Sequence, residues 1–290
     1  MPESLFRLYE RASGIARRYA NWVTSLSILL FAVTIGVAIH YTPVDLLTLA
    51  PGPLLAVFVL LIPSTLLINS LRVHVSAKAL GTCRGMGASV RAALLSSAAN
   101  LLPLPGGAVV RVSHIAAGDA NKLVSAGSVT IASIALSLAI GIAGLSVSIG
   151  FRPNAGRLGI AGLSIAACLA AATLLWLVRR IRPLHAWQLA SIELAAIAAE
   201  SARLWTCLAA LHSAVSPENA IALSLNTVIG SLFGLAPGGL GVRELVGASI
   251  AATVRISAAT VVIAIALNRL LGMTFMALAL LALRRTPRAP

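Results

Sequence analysis

Charge is scarce in this chain. Of 290 residues only 10% are Asp, Glu, Lys or Arg, and only eight of these are acidic. That leaves no polar segment large enough to fold as a separate soluble domain. With 59% of residues hydrophobic, several apolar stretches exceed the roughly 18 residues that a spanning helix needs. The expected fold class is therefore all-α, a polytopic helical membrane protein. Cysteine is scarce too. Cys83, Cys168 and Cys207 are far apart and odd in number, which indicates neither a disulfide framework nor a metal site; they read as small apolar packers. The histidines His40, His74, His114, His185 and His212 fall singly, without H-E-x-x-H or similar spacing, and read as interfacial side chains. No G-x-x-x-x-G-K-[ST] loop is present, so ATP is not bound in the usual way. No nucleophile–histidine pair stands out either. The chain is expected to be no enzyme and to carry no cofactor or metal.

What charge there is leans strongly positive, at +14. In a soluble protein that balance would point to nucleic acid. Here the basic residues cluster beside apolar segments, as the positive-inside rule expects, and such a face attracts anionic lipid headgroups. The clusters lack interleaved aromatics and any recognisable module, so nucleic acid is not an expected partner.

The same bias orders the chain. Residues 1–21 hold Arg7, Arg11, Arg17 and Arg18 with Leu5, Leu8, Ala12, Ile15 and Tyr19 at helical spacing, an amphipathic helix for the cytoplasmic surface. Spans are expected at 22–39, 54–73, 123–149, 158–178, 187–214 and 258–283, within one transmembrane domain over 22–284. Arg72, Lys78, Arg84 and Arg91 mark a cytoplasmic segment, as do Arg179, Arg180 and Arg182, and Arg284, Arg285 and Arg288 near the cytoplasmic tail 285–290. The loop with Arg152 and Arg157 falls outside, against the rule. Six spans place both termini in the cytoplasm, and the protein in a bacterial inner membrane.

Two stretches break this pattern. The motif P-G-G-x-x-V-R occurs at Pro105–Arg111 and again at Pro237–Arg243, 132 residues apart. Each interrupts apolar sequence, 92–117 and 220–254. The arms are too short to cross a bilayer, which predicts re-entrant hairpins, the first entering from the cytoplasm and the second from outside. Plain spans bent at proline are the alternative. Opposed hairpins with broken helices near the midplane are a recurring transporter plan.

A break at Pro-Gly-Gly frees backbone groups and presents a helix N-terminus. Gly106 and Gly107, with Arg111, and Gly238 and Gly239, with Arg243, then make an anion site for phosphate or carboxylate. The plainer reading is that each arginine neutralises an acid or snorkels to an interface. Glu244 is open to pairing with an arginine across the bundle or to taking up a proton. Glu200 and Arg203, three apart, form a local ion pair, and Glu193 shares the face of Glu200. Asn100, Asn226 and Asn268 read as interhelical hydrogen-bonders, and Arg269 as a counter-charge for a glutamate.

The elements N-x-x-P with a glycine turn and arginine (Asn100–Arg111), P-G-G-L-G-V-R-E (Pro237–Glu244) and N-R-L-L-G (Asn268–Gly272) together resemble the transmembrane region of the lysylphosphatidylglycerol synthetases, which also exists in stand-alone form. The resemblance covers nearly the whole chain. It implies a flippase-like membrane domain with inverted halves. That family's membrane part is often joined to an aminoacyl-transferase domain; these 290 residues hold none, so lipid aminoacylation is not implied. The family's charged first turn is replaced here by Leu104, Pro105, Gly106 and Gly107, and the acids after it by an uncharged run, 125–133.

The function expected is a lipid flippase that binds an anionic phospholipid or lipid-linked headgroup in a midplane cavity, held by Asn100, Gly106, Gly107, Arg111, Gly238, Gly239, Arg243, Glu244, Glu200, Arg203 and Arg269. Membrane lipids are the expected partners. A lipid-modifying enzyme, a glycosyltransferase or further copies of the chain are open as others. The alternative is a non-transporting membrane subunit or enzyme of cell-envelope glycolipid synthesis. A scaffold is a further rival; an ion channel would need a ring of charges or carbonyls that one chain does not display.

Overall fold

A computed structural model of the protein describes residues 29, 32–33, 35–40, 49–82, 85–100, 106–117, 119–150, 155–232, 239 and 241–285. The expected amphipathic helix, most of the first span, Cys83, Arg84, Arg152 and the end of the tail lie outside these residues. So do Pro105, Pro237 and Gly238 at the two breaks.

The described residues are all-helical, without a strand. After a helical stretch at 35–40 come α1 (Pro51–Ala79), α2 (Met86–Ala99), α3 (Gly106–Ala116), α4 (Ala120–Gly150), α5 (Gly156–Arg180), α6 (Pro183–Ala210), α7 (Pro217–Leu232), α8 (Val242–Thr253) and α9 (Ala258–Arg285). Proline opens α1, α6 and α7, where its missing N–H costs no helical bond. Inside α1, Pro63 follows a turn of π-helix at Val57–Leu61, the usual local answer to a residue that cannot donate to the turn before it.

Among the described residues four helices are long and apolar enough to cross a bilayer: α1, α4, α5 and α9. They mark a helical membrane protein. Helix α6 has 28 residues but carries Glu193, Glu200 and Arg203 and is not one of the four. Its bounds lie four residues earlier than the pattern predicts, because the chain turns at Leu211 and at His212, whose φ is 55°. At about 1.5 Å per residue, α2 (14 residues), α3 (11), α7 (16) and α8 (12) are each shorter than a hydrocarbon core of about 30 Å.

The helix order repeats with the offset of the motif. Pro51 and Pro183 open the long helices α1 and α6, and each is followed by two short helices and another long one. The short helices of each pair pack on one another. Helix α5 joins the halves.

Side-chain and backbone pairs fix the relative direction of the halves. Ala50 N–H donates to the Ala210 carbonyl at 3.1 Å, Arg72 reaches Glu193, and Val75 shares a core cluster with Ala186 and Leu189. Helices α1 and α6 therefore run antiparallel. The first hairpin is rooted near Val73 and Leu80, through Ala92, Ile115 and Ala116. The second is rooted at the opposite end, where Ala222, Leu223 and Val254 pack with Val57, Leu208 and Leu211.

Small residues allow the close helix approaches, as in membrane bundles generally. Gly159 lies against Gly150, and Gly162 against Ser146, where α5 meets α4. Gly141 and Gly144 seat Leu225 and Ile221 of α7 on α4.

Candidate functional site

The site is built by side chains that a lipid-facing helix could not carry. Glu193 and Glu244 are 0% exposed and Glu200 9%. Buried carboxylates of this kind persist only with partners, and each has one. Arg72 Nη2 donates to Glu193 Oε2 at 2.6 Å, Arg203 Nη1 to Glu200 Oε2 at 3.1 Å, and Arg269 Nη1 to Glu244 Oε1 at 3.2 Å. The pairs link α1 to α6, close locally on α6, and link α9 to α8.

Neutral polar groups complete the shells of the carboxylates. Ser137 Oγ donates to Glu193 Oε2 at 2.6 Å. Thr227 Oγ1 and Asn268 Nδ2 donate to Glu200 Oε1 at 3.0 and 3.1 Å. Arg203 Nη2 also reaches the Asn268 carbonyl at 3.4 Å. Asn268 thus bonds between helices as expected. Asn226 does not: its Nδ2 donates to Leu223 of its own helix and its Oδ1 accepts from Thr227.

All these helices face one cavity of about 340 Å³, within the range of small-molecule sites, about 300–1,000 Å³. Arg72, Arg111, Arg203, Arg243 and Arg269 line it, with Glu193, Glu200, Asn69, Asn100, Asn268, Ser97 and Ser231. Ile62, Leu66, Met273 and Met276 supply an apolar side. Five arginines meet three glutamates here, counting Glu244 behind Arg269. The two left without a carboxylate among the described residues are Arg111 and Arg243, the arginines of the duplicated motif. The Nε of each is buried with no hydrogen-bond partner, and so are Glu193 Oε1 and Asn268 Oδ1. Such a lining is polar enough to hold water or a polar ligand, and costly to leave dry.

The two breaks are built differently. Gly106 and Gly107 are the first residues of α3 and lie within the helix. The first turn of a helix tolerates glycine, and Gly107 is held there by Ser96, whose Oγ donates to its carbonyl at 2.8 Å. Asn100, at the end of α2, lies directly beside it, so that a Cβ at 107 would collide with its side chain and with the Ser96 carbonyl. At the second break the helix starts later, at Val242, after Gly239 (φ 72°) and Gly241 (φ 80°) in the left-handed region that glycine alone enters cheaply. Gly238 lies outside the described residues. Gly239 packs on the Gly230 carbonyl, and the stem of Arg243 crosses Gly230.

Glu244 corrects one expectation. It stands in the first turn of α8 and accepts the Gly241 N–H at 2.8 Å, so its carboxylate already compensates the positive helix end. Attraction for an anion at this break comes from the Arg243 guanidinium. At α3 no acid occupies the first turn.

Arg72 is the second correction. It was expected in a cytoplasmic basic segment with Lys78 and Arg91, which are exposed. Helix α1 instead continues to Ala79 and carries Arg72 on its inner face. The available signal was Asn69, three residues earlier, which accepts from Arg72 Nη1 at 3.1 Å. Sequence reasoning also missed Gly230, Ser137 and Thr227.

Among the described residues no three His, Cys, Asp or Glu side chains come together; the donors of the site are guanidinium, amide and hydroxyl groups. The fold and site define a class: a helical membrane protein with a cation-rich internal cavity between two helical hairpins. No protein-family model and no curated protein matches the chain.

Proposed function

We propose that the protein is a lipid flippase of the bacterial inner membrane, with six spans, two re-entrant hairpins in inverted halves, and both termini in the cytoplasm. It binds an anionic lipid headgroup in the central cavity and lowers the barrier to its passage between leaflets. In this reading the chain is of the kind found in the transmembrane region of the lysylphosphatidylglycerol synthetases. One observation carries the proposal: Arg111 and Arg243, from hairpins rooted at opposite ends of the bundle, line one cavity and have no carboxylate partner among the described residues. A charged headgroup in bare hydrocarbon is heavily penalised, and guanidiniums with hydroxyl and amide donors replace its water. The apolar side at Leu66, Met273 and Met276 suits the attached chains. Transport is passive or gradient-coupled.

The test is leaflet-resolved quenching of fluorescent anionic lipids in proteoliposomes. Wild-type protein accelerates exchange without ATP, and Arg243→Ala lowers the rate at least about tenfold. Equal rates with and without the protein for every lipid tried would refute the proposal, as would strict ATP dependence its energetic part.

A further inference from the structure

The charge of the cavity can be counted, and the count distinguishes among phosphates. Glu193, Glu200 and Glu244 are each matched by one arginine, Arg72, Arg203 and Arg269. What remains among the described residues is the pair Arg111 and Arg243, equivalent positions in the two repeats, neither of which forms an ion pair there. Among the described residues no other charged side chain lines the cavity. Two buried positive charges beside a partly enclosed cavity call for two negative ones, because an uncompensated buried charge is costly.

A phosphodiester, the linkage of phosphatidylglycerol, carries a single charge and would leave one guanidinium unmatched. A terminal phosphomonoester carries about −1.5 to −2 near neutral pH and offers three acceptor oxygens. Its charge matches that of the two arginines that line the cavity, one from each hairpin. We propose that the cavity selects a terminal phosphate dianion borne on a lipid, in preference to the monoanionic diester of ordinary phospholipids. This rests on the reading of the cavity as a headgroup site and specifies which headgroup it takes. A free phosphate ion shares the same chemistry, but the apolar side at Leu66, Met273 and Met276 has a use only if a chain is attached.

The experiment measures binding of phosphatidic acid and phosphatidylglycerol with identical acyl chains to the full chain in detergent, by native mass spectrometry. Inorganic phosphate serves as competitor. At about pH 8 phosphatidic acid binds at least about tenfold more tightly, and the difference shrinks to near parity at about pH 5, below the second phosphate pKa of about 6. Arg111→Gln and Arg243→Gln each abolish the preference. Arg243→Lys, which keeps the charge, retains most of it, and Arg179→Gln on the exposed face changes nothing. Equal affinity for both lipids at about pH 8, with Arg243→Gln weakening both, overturns the dianion while leaving the headgroup site standing. If neither Gln variant weakens any lipid while Arg243→Lys shows the protein folded, the headgroup reading itself falls. Displacement of phosphatidic acid by an equal concentration of inorganic phosphate overturns the lipid as source.

Discussion

Glu244 serves two structures at once, and its replacement separates them. One carboxylate oxygen accepts the Gly241 N–H and the other the Arg269 guanidinium. Glu244→Gln keeps the shape, loses the charge and leaves Arg269 without its carboxylate. Breaking one side of a buried pair costs about 3–5 kcal/mol, so thermal unfolding in detergent should move down sharply. Glu244→Gln combined with Arg269→Met should recover part of that loss, because the buried charge is then gone as well. At the other hairpin the sensitive atom is a hydrogen. Gly107→Ala places a methyl against Asn100 and Ser96, and overpacking of this kind costs about 1–3 kcal/mol; a melting curve unchanged from wild type would contradict the tip geometry. At this scale the sequence was most readable where it repeated itself. Arg111 and Arg243 stood out through duplication, and the Glu200–Arg203 pair through its spacing. Arg72 was hidden because a basic residue near the end of an apolar run looks the same whether it snorkels to water or turns inward. Only the partner, Glu193, 121 positions away, decides.

Helices are legible in such a chain because their apolar runs are long, and their relations are not, because glycine contacts carry no periodic signal. The long helices α4, α5 and α9 fall within about three residues of their expected bounds at either end. The breaks inside 92–117 and 220–254 were visible as proline and glycine, yet their inner architecture was not. A P-G-G motif begins a helix directly at Gly106 and four residues after Gly238 at the second copy, since Gly241 can take a left-handed φ where Val109 cannot. Equally invisible was the seat of the second hairpin on α4, where Gly141 and Gly144 receive Leu225 and Ile221. Helix α7, seated by that contact, also carries Ser231 of the cavity lining. Gly144→Leu would drive α4 and α7 apart and should lower transport in the liposome assay more than it lowers expression. Leu at the half-buried Gly127, where a Cβ would have nothing within 4 Å, should leave both unchanged.

For the whole molecule the decisive property is that its two halves point opposite ways. Helices α1 and α6 run antiparallel, and the hairpins are rooted in core clusters at opposite ends of the bundle. Exposed basic residues follow the same division, with Lys78, Arg179, Arg180 and Arg182 around the end formed by Val75, Leu177 and Ile181. In the proposed topology, positive-inside bias puts that end in the cytoplasm and the end near Ala50, Ala210 and Val215 outside. Arg157 and Arg255, exposed at the opposite end, are the minority against that rule, which sums over charges and tolerates a few. The orientation has a direct readout. In a variant whose cysteines are replaced by serine, Ala214→Cys should react with a membrane-impermeant maleimide added to intact spheroplasts. Lys78→Cys should react only after the membrane is opened. Labelling of both from the same side would put the two hairpin roots on one face, and a cavity reached from one leaflet alone has no path for a headgroup to the other.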